Sequence, residues 1–243
     1  MAQLDRPDAK TYRGKKADMG GTMTADSTGH ATSAAAVVTA LEEDIVLGRL
    51  QPRERLIEEE LAERFAVKRH LIRQAIAGLE RLGLIEHVRH RGAVVRLYTA
   101  QEVEDINAVR DLLEGHAASL VALPAPDADL AALSAIAERH LAAITAGRHR
   151  ETFRSNLEFH SRLFRLCGNC ALVAAIEMHA QKSHAYRSIL VNDQSYQEWA
   201  ADAHLAMIEA MRRGDREALV RLCREHLTPA KNRYIEVWNS RYS

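Results

Sequence analysis

Three histidines and one asparagine in the second half of the chain are of residue types that bind metal ions: Asn156, His160, His204 and His226. Asn156 and His160 are four residues apart and share one face of a helix. Apolar residues at helical spacing accompany each histidine, which places the imidazoles on inward faces. One divalent cation in a helical bundle would satisfy all three rings. The alternative is three core histidines that hydrogen-bond to protein groups, and the residues alone leave both interpretations open.

Two arginines of the same half could recognise a carboxylate. Arg110 shares a helical face with Val103 and Leu113, and Arg187 is in line with the apolar stripe of its own helix. A guanidinium on an inward face needs an anionic partner. For Arg110 that partner is either Glu114, one turn further on, or the carboxylate of an effector bound bidentately.

A second group of polar residues lies at the start of a helix predicted at about 69–82. Segment 68–96 has seven basic residues against two acidic ones, although the formal net charge of the chain is zero. Arginine pairs bidentately with O6 and N7 of guanine. The alternative is a solvated arginine face. We predict these DNA contacts: Arg69, His70, Arg73 and Gln74 on the helix, and His90, Arg91 and Gly92 in a following turn.

The elements that position these residues form a winged helix-turn-helix. A short helix at about 58–65 precedes the helix at 69–82, and a two-stranded ribbon follows. The ribbon ends Ile85 and Val88 are expected to pack inward, and Gly92 supplies the backbone freedom of the turn. The expected core residues of the two helices are Leu61, Phe65, Val67, Leu71 or Ile72, Ala75, Ile76 and Leu79.

The fold class predicted is mainly α. Residues 1–30 are polar and predict a disordered tail. Residues 34–96 predict a winged-helix domain, whose first helix ends near Gly48. Residues 99–240 predict an all-helical effector-binding bundle. Apolar spacing of three and four indicates six helices in the bundle. Their predicted bounds are 100–122, 127–146, 150–167, 170–191, 194–213 and 215–239.

The composition of the chain argues against a membrane-spanning protein and against a disulfide-rich one. No apolar run approaches the roughly 18 residues of a membrane span, so we expect a cytoplasmic protein. Three cysteines, an odd number, argue against a disulfide framework. Cys167 and Cys170 have a C-x-x-C spacing, which we interpret as a turn between helices rather than a redox or zinc motif.

The segment resembles the winged helix of GntR-family bacterial transcription regulators, and residues 34–240 resemble the FadR subgroup, whose effector domain is called FCD. The matching residues are Glu60-Leu61-Ala62-Glu63, Val67, Arg69, Arg73, Ala75, Leu79-Glu80, Gly83-Leu84 and Arg91-Gly92-Ala93. Lys68, His70 and Gln74 replace the usual Ser, Thr and Glu. The resemblance implies a homodimer on double-stranded DNA with a pseudo-palindromic operator, and six helices suggest the VanR-like branch.

The resemblance also bears on the histidines. FCD domains often bind a metal through Asp or Asn, a histidine four residues later and two histidines of the last helices; Asn156, His160, His204 and His226 fall on those positions. Zn²⁺ is the first choice, with Ni²⁺ or Mn²⁺ as alternatives. The implied function is a repressor that senses a small organic acid, with Arg110 and Arg187 as effector-binding residues. Effector binding is expected to shift the helix at 100–122, which joins the wing through Leu97-Tyr98-Thr99.

A metal-dependent enzyme is the alternative function, because three histidines with an open coordination position could activate water. No residue suited to act as general base accompanies the cluster, and an enzyme would not need a winged helix. Salt-dependent binding to duplex DNA distinguishes the two functions.

Overall fold

The computed structural model describes residues 33–242, and the predicted tail, 1–30, lies outside them. Helix α1, Ala34–Val46, begins where the Ser33 side chain accepts a hydrogen bond from the backbone N–H of Ala36. It ends before Gly48, which has a positive φ of 68°. The predicted end of this helix is therefore confirmed.

The next four elements form the winged helix-turn-helix. They are α2 (Glu58–Phe65), α3 (Arg69–Arg81) and the antiparallel strands β1 (Ile85–Val88) and β2 (Gly92–Val95). Ile72 is fully buried and Leu71 is half-exposed, which decides the alternative that the sequence left open. Val88 is only half-buried, contrary to prediction. It pairs with Gly92 at the tip of the ribbon, beyond the core that covers Ile85.

The ribbon turn has the backbone that its glycine predicts. Gly92 has a φ of 75°, and His90 also lies in the left-handed region, with a φ of 65°. The N–H of Arg91 donates to the carbonyl of Val88 at 3.0 Å, which closes the turn. The turn therefore projects Arg91 away from the domain, and its side chain is exposed.

The remaining elements are helical. They are α4 (Ala100–Leu120), α5 (Asp127–Thr145), α6 (His149–Arg165), α7 (Cys170–Arg187), a short 3-10 turn (Ser188–Leu190), α8 (Gln194–Arg213), α9 (Arg216–Glu225) and α10 (Thr228–Tyr242). The predicted helix 215–239 is thus two helices, and the one predicted at 170–191 ends at Arg187. Pro229 explains the first difference, because it has no N–H to donate to the carbonyl four residues earlier and is tolerated only in a first helical turn.

Side-chain caps fix several helix starts. Thr99 and Glu102 form a capping box at the start of α4. Asn169 caps α7 through the N–H of Leu172, which makes Cys167–Cys170 a turn between α6 and α7, as the sequence indicated. All three cysteines are free thiols.

Two hydrophobic clusters hold these elements together. The first contains the winged-helix core and continues into Val103 of α4, Tyr186 of α7 and Tyr234 of α10. The second lies among the helices α4 to α9 and includes Phe159 and Met207. The architecture is mainly helical, with a winged helix-turn-helix before a helical domain, as predicted. Among residues 33–242, none of the helices combines the length and apolar character that crossing a bilayer requires.

Candidate metal centre and DNA-binding face

The three predicted histidines converge although they come from separate parts of the helical domain. His160 is on α6, His204 is on α8, and His226 follows the last residue of α9. One ring nitrogen from each lies within 4.8 Å of the others. The Nε2 atoms of His160 and His204 are 3.3 Å apart. This spacing is compatible with one cation held by all three rings.

The ring nitrogens of this cluster have few protein partners. Nδ1 of His160, Nδ1 of His204 and both ring nitrogens of His226 are buried, and among the described residues they have no hydrogen-bond partner. Buried polar groups of native proteins are almost always satisfied. Apart from the contact between Nε2 of His160 and Nε2 of His204, the alternative of satisfied core histidines therefore lacks its hydrogen bonds in the described part of the chain, and the cluster could hold a metal.

Burial keeps the three imidazoles neutral. Desolvation lowers the pKa of His226 to about 3, with Arg187 adding to the effect. It also lowers the pKa values of His160 and His204 well below the usual value, and the neighbouring imidazoles lower them further. A histidine coordinates a cation through the lone pair of its neutral ring. At neutral pH the cluster is in the protonation state that metal binding needs.

Aromatic side chains fix the orientation of two of the rings. Phe159 stacks on His204 with ring centroids 3.9 Å apart. Trp199 stacks on His226 at 5.3 Å. Such contacts restrict the rotation of the imidazoles, so the cluster is held in place before any ligand arrives.

Asn156, the predicted fourth ligand, is buried and its Nδ2 has no partner among the described residues. It lines a cavity of about 60 Å³ together with Arg187 and Gln197. This cavity is small compared with the roughly 300–1,000 Å³ of typical ligand pockets. His160 follows Asn156 by one turn of α6, so the cavity lies beside the histidine cluster.

His140 of α5 is a polar residue of this region that the sequence analysis missed. It is 2% exposed, its Nδ1 has no partner among the described residues, and its ring centroid is 4.9 Å from that of His204. It also lines the cavity. Burial lowers its pKa to about 4, with a contribution from Arg187. Its place on a stripe with Leu133 and Ile136 could have revealed it, because the same spacing identified the other histidines.

The two candidate effector arginines have different surroundings. Arg110 is 8% exposed, and its Nε donates to a carboxylate oxygen of Glu114 at 2.9 Å. Arg187, in the last turn of α7, is half-buried and lines the cavity. Within residues 33–242 it has neither a hydrogen bond nor an ion pair. Arg110 therefore has a hydrogen-bonded protein partner, whereas Arg187 acts on the Glu114 carboxylate only as a nearby positive charge.

The predicted DNA-binding residues all lie on the surface of the winged helix. Exposed side chains are Arg69, His70, Arg73 and Gln74 on α3, and His90 and Arg91 in the turn before Gly92.

Two of these arginines already have acidic partners on α2. Arg69 pairs with Glu59, and Nε of Arg73 donates to Glu58 at 2.8 Å. Exposed ion pairs of this kind contribute about 0–1 kcal/mol, so DNA can displace the glutamates. Lys68, at the N-cap of α3, makes no side-chain cap hydrogen bond, in line with its poor capping chemistry.

Two family models match the chain. Residues 33–95 match "Bacterial regulatory proteins, gntR family", and residues 105–229 match the FCD domain. FCD domains often bind a metal, which agrees with the chemistry of the histidine cluster. Both families consist of transcription regulators, not enzymes.

Individual relatives agree with the family models. The chain is 30% identical to the uncharacterized HTH-type transcriptional regulator YdhC of Bacillus subtilis (strain 168), over 73% of this chain and 80% of that protein. It is 26% identical to the galactonate operon transcriptional repressor of Escherichia coli (strain K12), over 75% of this chain and 88% of that protein. The solved structure of E. coli McbR/YncC shares the fold, with a TM-score of 0.70 at 20% identity over 86% of this chain and 98% of that one. The chain therefore belongs to the GntR family of DNA-binding transcription regulators and has an FCD effector domain.

Proposed function

We propose that this regulator is a repressor that senses a small organic acid through a divalent metal ion in its helical domain. The observation that carries the proposal is the convergence of His160, His204 and His226, which bring one ring nitrogen each to within 4.8 Å of the others inside the helical domain. Each unsatisfied buried polar group costs roughly 1–3 kcal/mol. A cation that binds one nitrogen of each ring satisfies three buried nitrogens at once.

The metal would be held by these three histidines, with the side-chain oxygen of Asn156 as a weak fourth ligand. Zn²⁺ suits a set of imidazoles best, and Ni²⁺ or Mn²⁺ are alternatives. When bound, the cation supplies positive charge that attracts an anion. Asn156 is neutral and contributes less attraction for a cation than a carboxylate would. A bound anion would therefore complete the charge balance of the site.

The effector would be a small carboxylate that binds between the metal and Arg187. A guanidinium without a protein partner binds a carboxylate bidentately at little cost. Arg110 is the second candidate, but its pairing with Glu114 must be broken or shared first. The operon that the E. coli relative represses is named for a sugar acid, which supports this class of ligand.

The winged helix would place α3 in the major groove, with the base contacts made by Arg69, His70, Arg73 and Gln74. Arg91 and its turn would meet phosphate or the minor groove. The residues that differ from the family pattern, Lys68, His70 and Gln74, would give this protein its own operator sequence. Because its DNA is the bacterial chromosome, we place the protein in the cytoplasm.

A homodimer would match a pseudo-palindromic operator, because two half-sites fit a two-fold protein. Helix α4 presents Val109, Leu112 and Leu120 on one stripe, and Leu112 is 66% exposed. Exposed apolar side chains in a row favour contact with another protein surface. We assign this stripe to the second subunit, and Leu112→Glu is expected to yield monomers in sedimentation experiments.

The DNA-binding part is tested with duplexes that the full chain selects from a random pool. Arg69→Ala and Arg73→Ala should each weaken binding to the selected operator by roughly 1–3 kcal/mol. Arg81→Ala is the matched control, because Arg81 is an exposed arginine at the other end of α3. Arg91→Ala should weaken selected and random duplexes alike. Equal operator affinity of Arg69→Ala, Arg73→Ala and the control would contradict the proposed interface.

A further inference from the structure

The DNA-binding domain contributes to the cavity beside the histidine cluster. Val46, the last residue of α1, is 4% exposed and lines that cavity together with Asn156 of α6 and Arg187 of α7. A molecule that enters the cavity therefore lies against the first helix of the winged-helix domain as well as against the helical domain.

The same helix is joined to α6 by buried charge. Glu43 is 3% exposed, and its carboxylate pairs with Arg150 at 3.0 Å and with Arg154 at 2.5 Å. Both arginines precede Asn156 and His160 on α6. A shift or rotation of α6 that accompanies ligand binding must therefore move the groups that hold Glu43.

A second contact joins α1 to α7. Glu42 accepts a hydrogen bond at 2.8 Å from the Nδ1 of His184, which is buried, and Phe153 of α6 meets the His184 ring edge-on at 5.1 Å. Helix α7 also carries Arg187, the guanidinium that faces the cavity. Helices α6 and α7 both bring candidate ligand-binding groups to the cavity. Each of them also pairs with α1 through a residue that lies within one helical turn of those groups.

Helix α1 in turn packs tightly against the recognition helix. Val37 and Leu41 share one core cluster with Ile72 of α3. A Cβ atom at Gly78 would lie 3.0 Å from a methyl carbon of Val38, so the two helices are in close contact there. Close-packed helices transmit displacements instead of absorbing them.

We propose that α1 detects occupancy of the cavity directly, through Val46 and through the ion pairs of Glu43, and passes the displacement to α3. This inference rests on the proposed metal and effector site. The small volume of the cavity supports it, because a ligand of more than a few heavy atoms has to displace a wall. The route from site to recognition helix then runs through α6, α7 and α1, in addition to the connection from α4 through Tyr98.

Hydrogen–deuterium exchange of the full chain tests the route, with zinc alone and with zinc plus acetate as probes. In the wild type we expect slower exchange in α6 and also in α1 and α3. In Glu43→Gln, which keeps the shape of the side chain, the change in α6 should remain and the change in α1 and α3 should be clearly weaker, because only the contacts of Val46 and Glu42 are left to transmit it. Arg154→Gln should weaken the change in α1 and α3 in the same direction but by less, because Arg150 still pairs with Glu43.

Asp44→Asn is the matched control. Asp44 is an equally buried carboxylate on α1, but its partners Arg49 and Arg64 both belong to the winged-helix part of the chain. Its replacement should leave the response of α1 and α3 to zinc in place. The inference is overturned if α6 responds in the wild type without α1, or if Glu43→Gln and Arg154→Gln keep the full response. If zinc changes no amide in α6 either, the proposed metal site fails together with the route.

Discussion

The recognition face of α3 and the histidine cluster both consist of polar side chains at helical spacing, yet their surroundings are opposite. Arg69 and Arg73 have 59% and 66% of their side chains exposed and pair with glutamates that are also exposed. His204 and His226 are buried, and three of their four ring nitrogens lack partners among the described residues. Charged side chains on the surface are solvated by water. Buried polar groups without partners destabilise the folded state, and other contacts of the fold must offset that cost.

This difference predicts two kinds of mutational effect. Changes on the recognition face should alter DNA affinity and leave the free energy of unfolding almost unchanged. Changes in the buried site should alter the free energy of unfolding, by an amount that depends on which ligands are present.

The largest expected effect separates the two buried-site arginines. Arg110→Ala leaves the carboxylate of Glu114 buried without its partner, which typically costs roughly 3–5 kcal/mol of unfolding free energy. Arg187→Ala breaks no hydrogen bond or ion pair within the described residues and should cost less than about 1 kcal/mol. Urea unfolding of both variants measures the contrast. Equal destabilisation would contradict the assignment of a structural role to Arg110 and of an effector-binding role to Arg187.

Zinc should stabilise the wild type by about 2.7 kcal/mol at a free concentration 100 times its Kd. His204→Ala removes one ligand and should abolish this stabilisation, because the remaining groups bind the cation far more weakly. His87→Ala is the control, since His87 is an exposed histidine of β1. Thermal unfolding with and without chelator, on protein without a His tag, gives the result. A response to zinc that survives in His204→Ala would place the metal elsewhere.

Local patterns in the sequence were enough for most of the fold. Each element of the winged helix has its own periodicity in the sequence. Gly92 marks the ribbon turn, because its backbone adopts a positive φ. The convergence of His160, His204 and His226 was also foreseeable, because each lies on an apolar stripe.

Distant pairings could not be predicted in the same way. Glu43 looks like an ordinary solvent-facing acid, and its partner Arg154 is 111 residues away along the chain. The sequence also does not show that Arg187 lacks a protein partner or that the cavity extends to Val46. These properties depend on how helices pack, and no local spacing specifies them.

Acid should destabilise the metal-free protein through the buried imidazoles. Their folded-state pKa values lie below that of the unfolded chain, about 6.5, and reach about 3 for His226 and about 4 for His140. Between these values and 6.5 the unfolded chain binds protons that the folded chain does not. The free energy of unfolding should therefore be highest above pH ~6.5 and should decrease below that pH by up to about 1.4 kcal/mol per pH unit for each such group. Urea titrations at a series of pH values measure the slope, and a flat profile from pH 7 to 5 would contradict it.

The smallest expected effect concerns the fourth ligand. Asn156→Asp adds a negative charge beside His160 and should raise the affinity for zinc, while it slightly destabilises the metal-free protein through the buried carboxylate. Competition with a chromogenic chelator measures the affinity. Gln197→Glu is a matched amide-to-acid control on the same cavity, since Gln197 is engaged with the carbonyl of Val191. An equal gain in both variants would show a general electrostatic effect instead of coordination by Asn156.

The central claim is that the ligand of the histidine cluster controls DNA binding, and reciprocal linkage tests it most directly. The affinity of the full chain for its selected operator is measured with and without zinc plus a screened carboxylate, and the affinity for that carboxylate is measured with and without operator. We predict that both affinities change by the same factor, equivalent to roughly 1–3 kcal/mol, and that His204→Ala removes both changes. Operator affinity that is indifferent to a bound metal and acid would contradict the account.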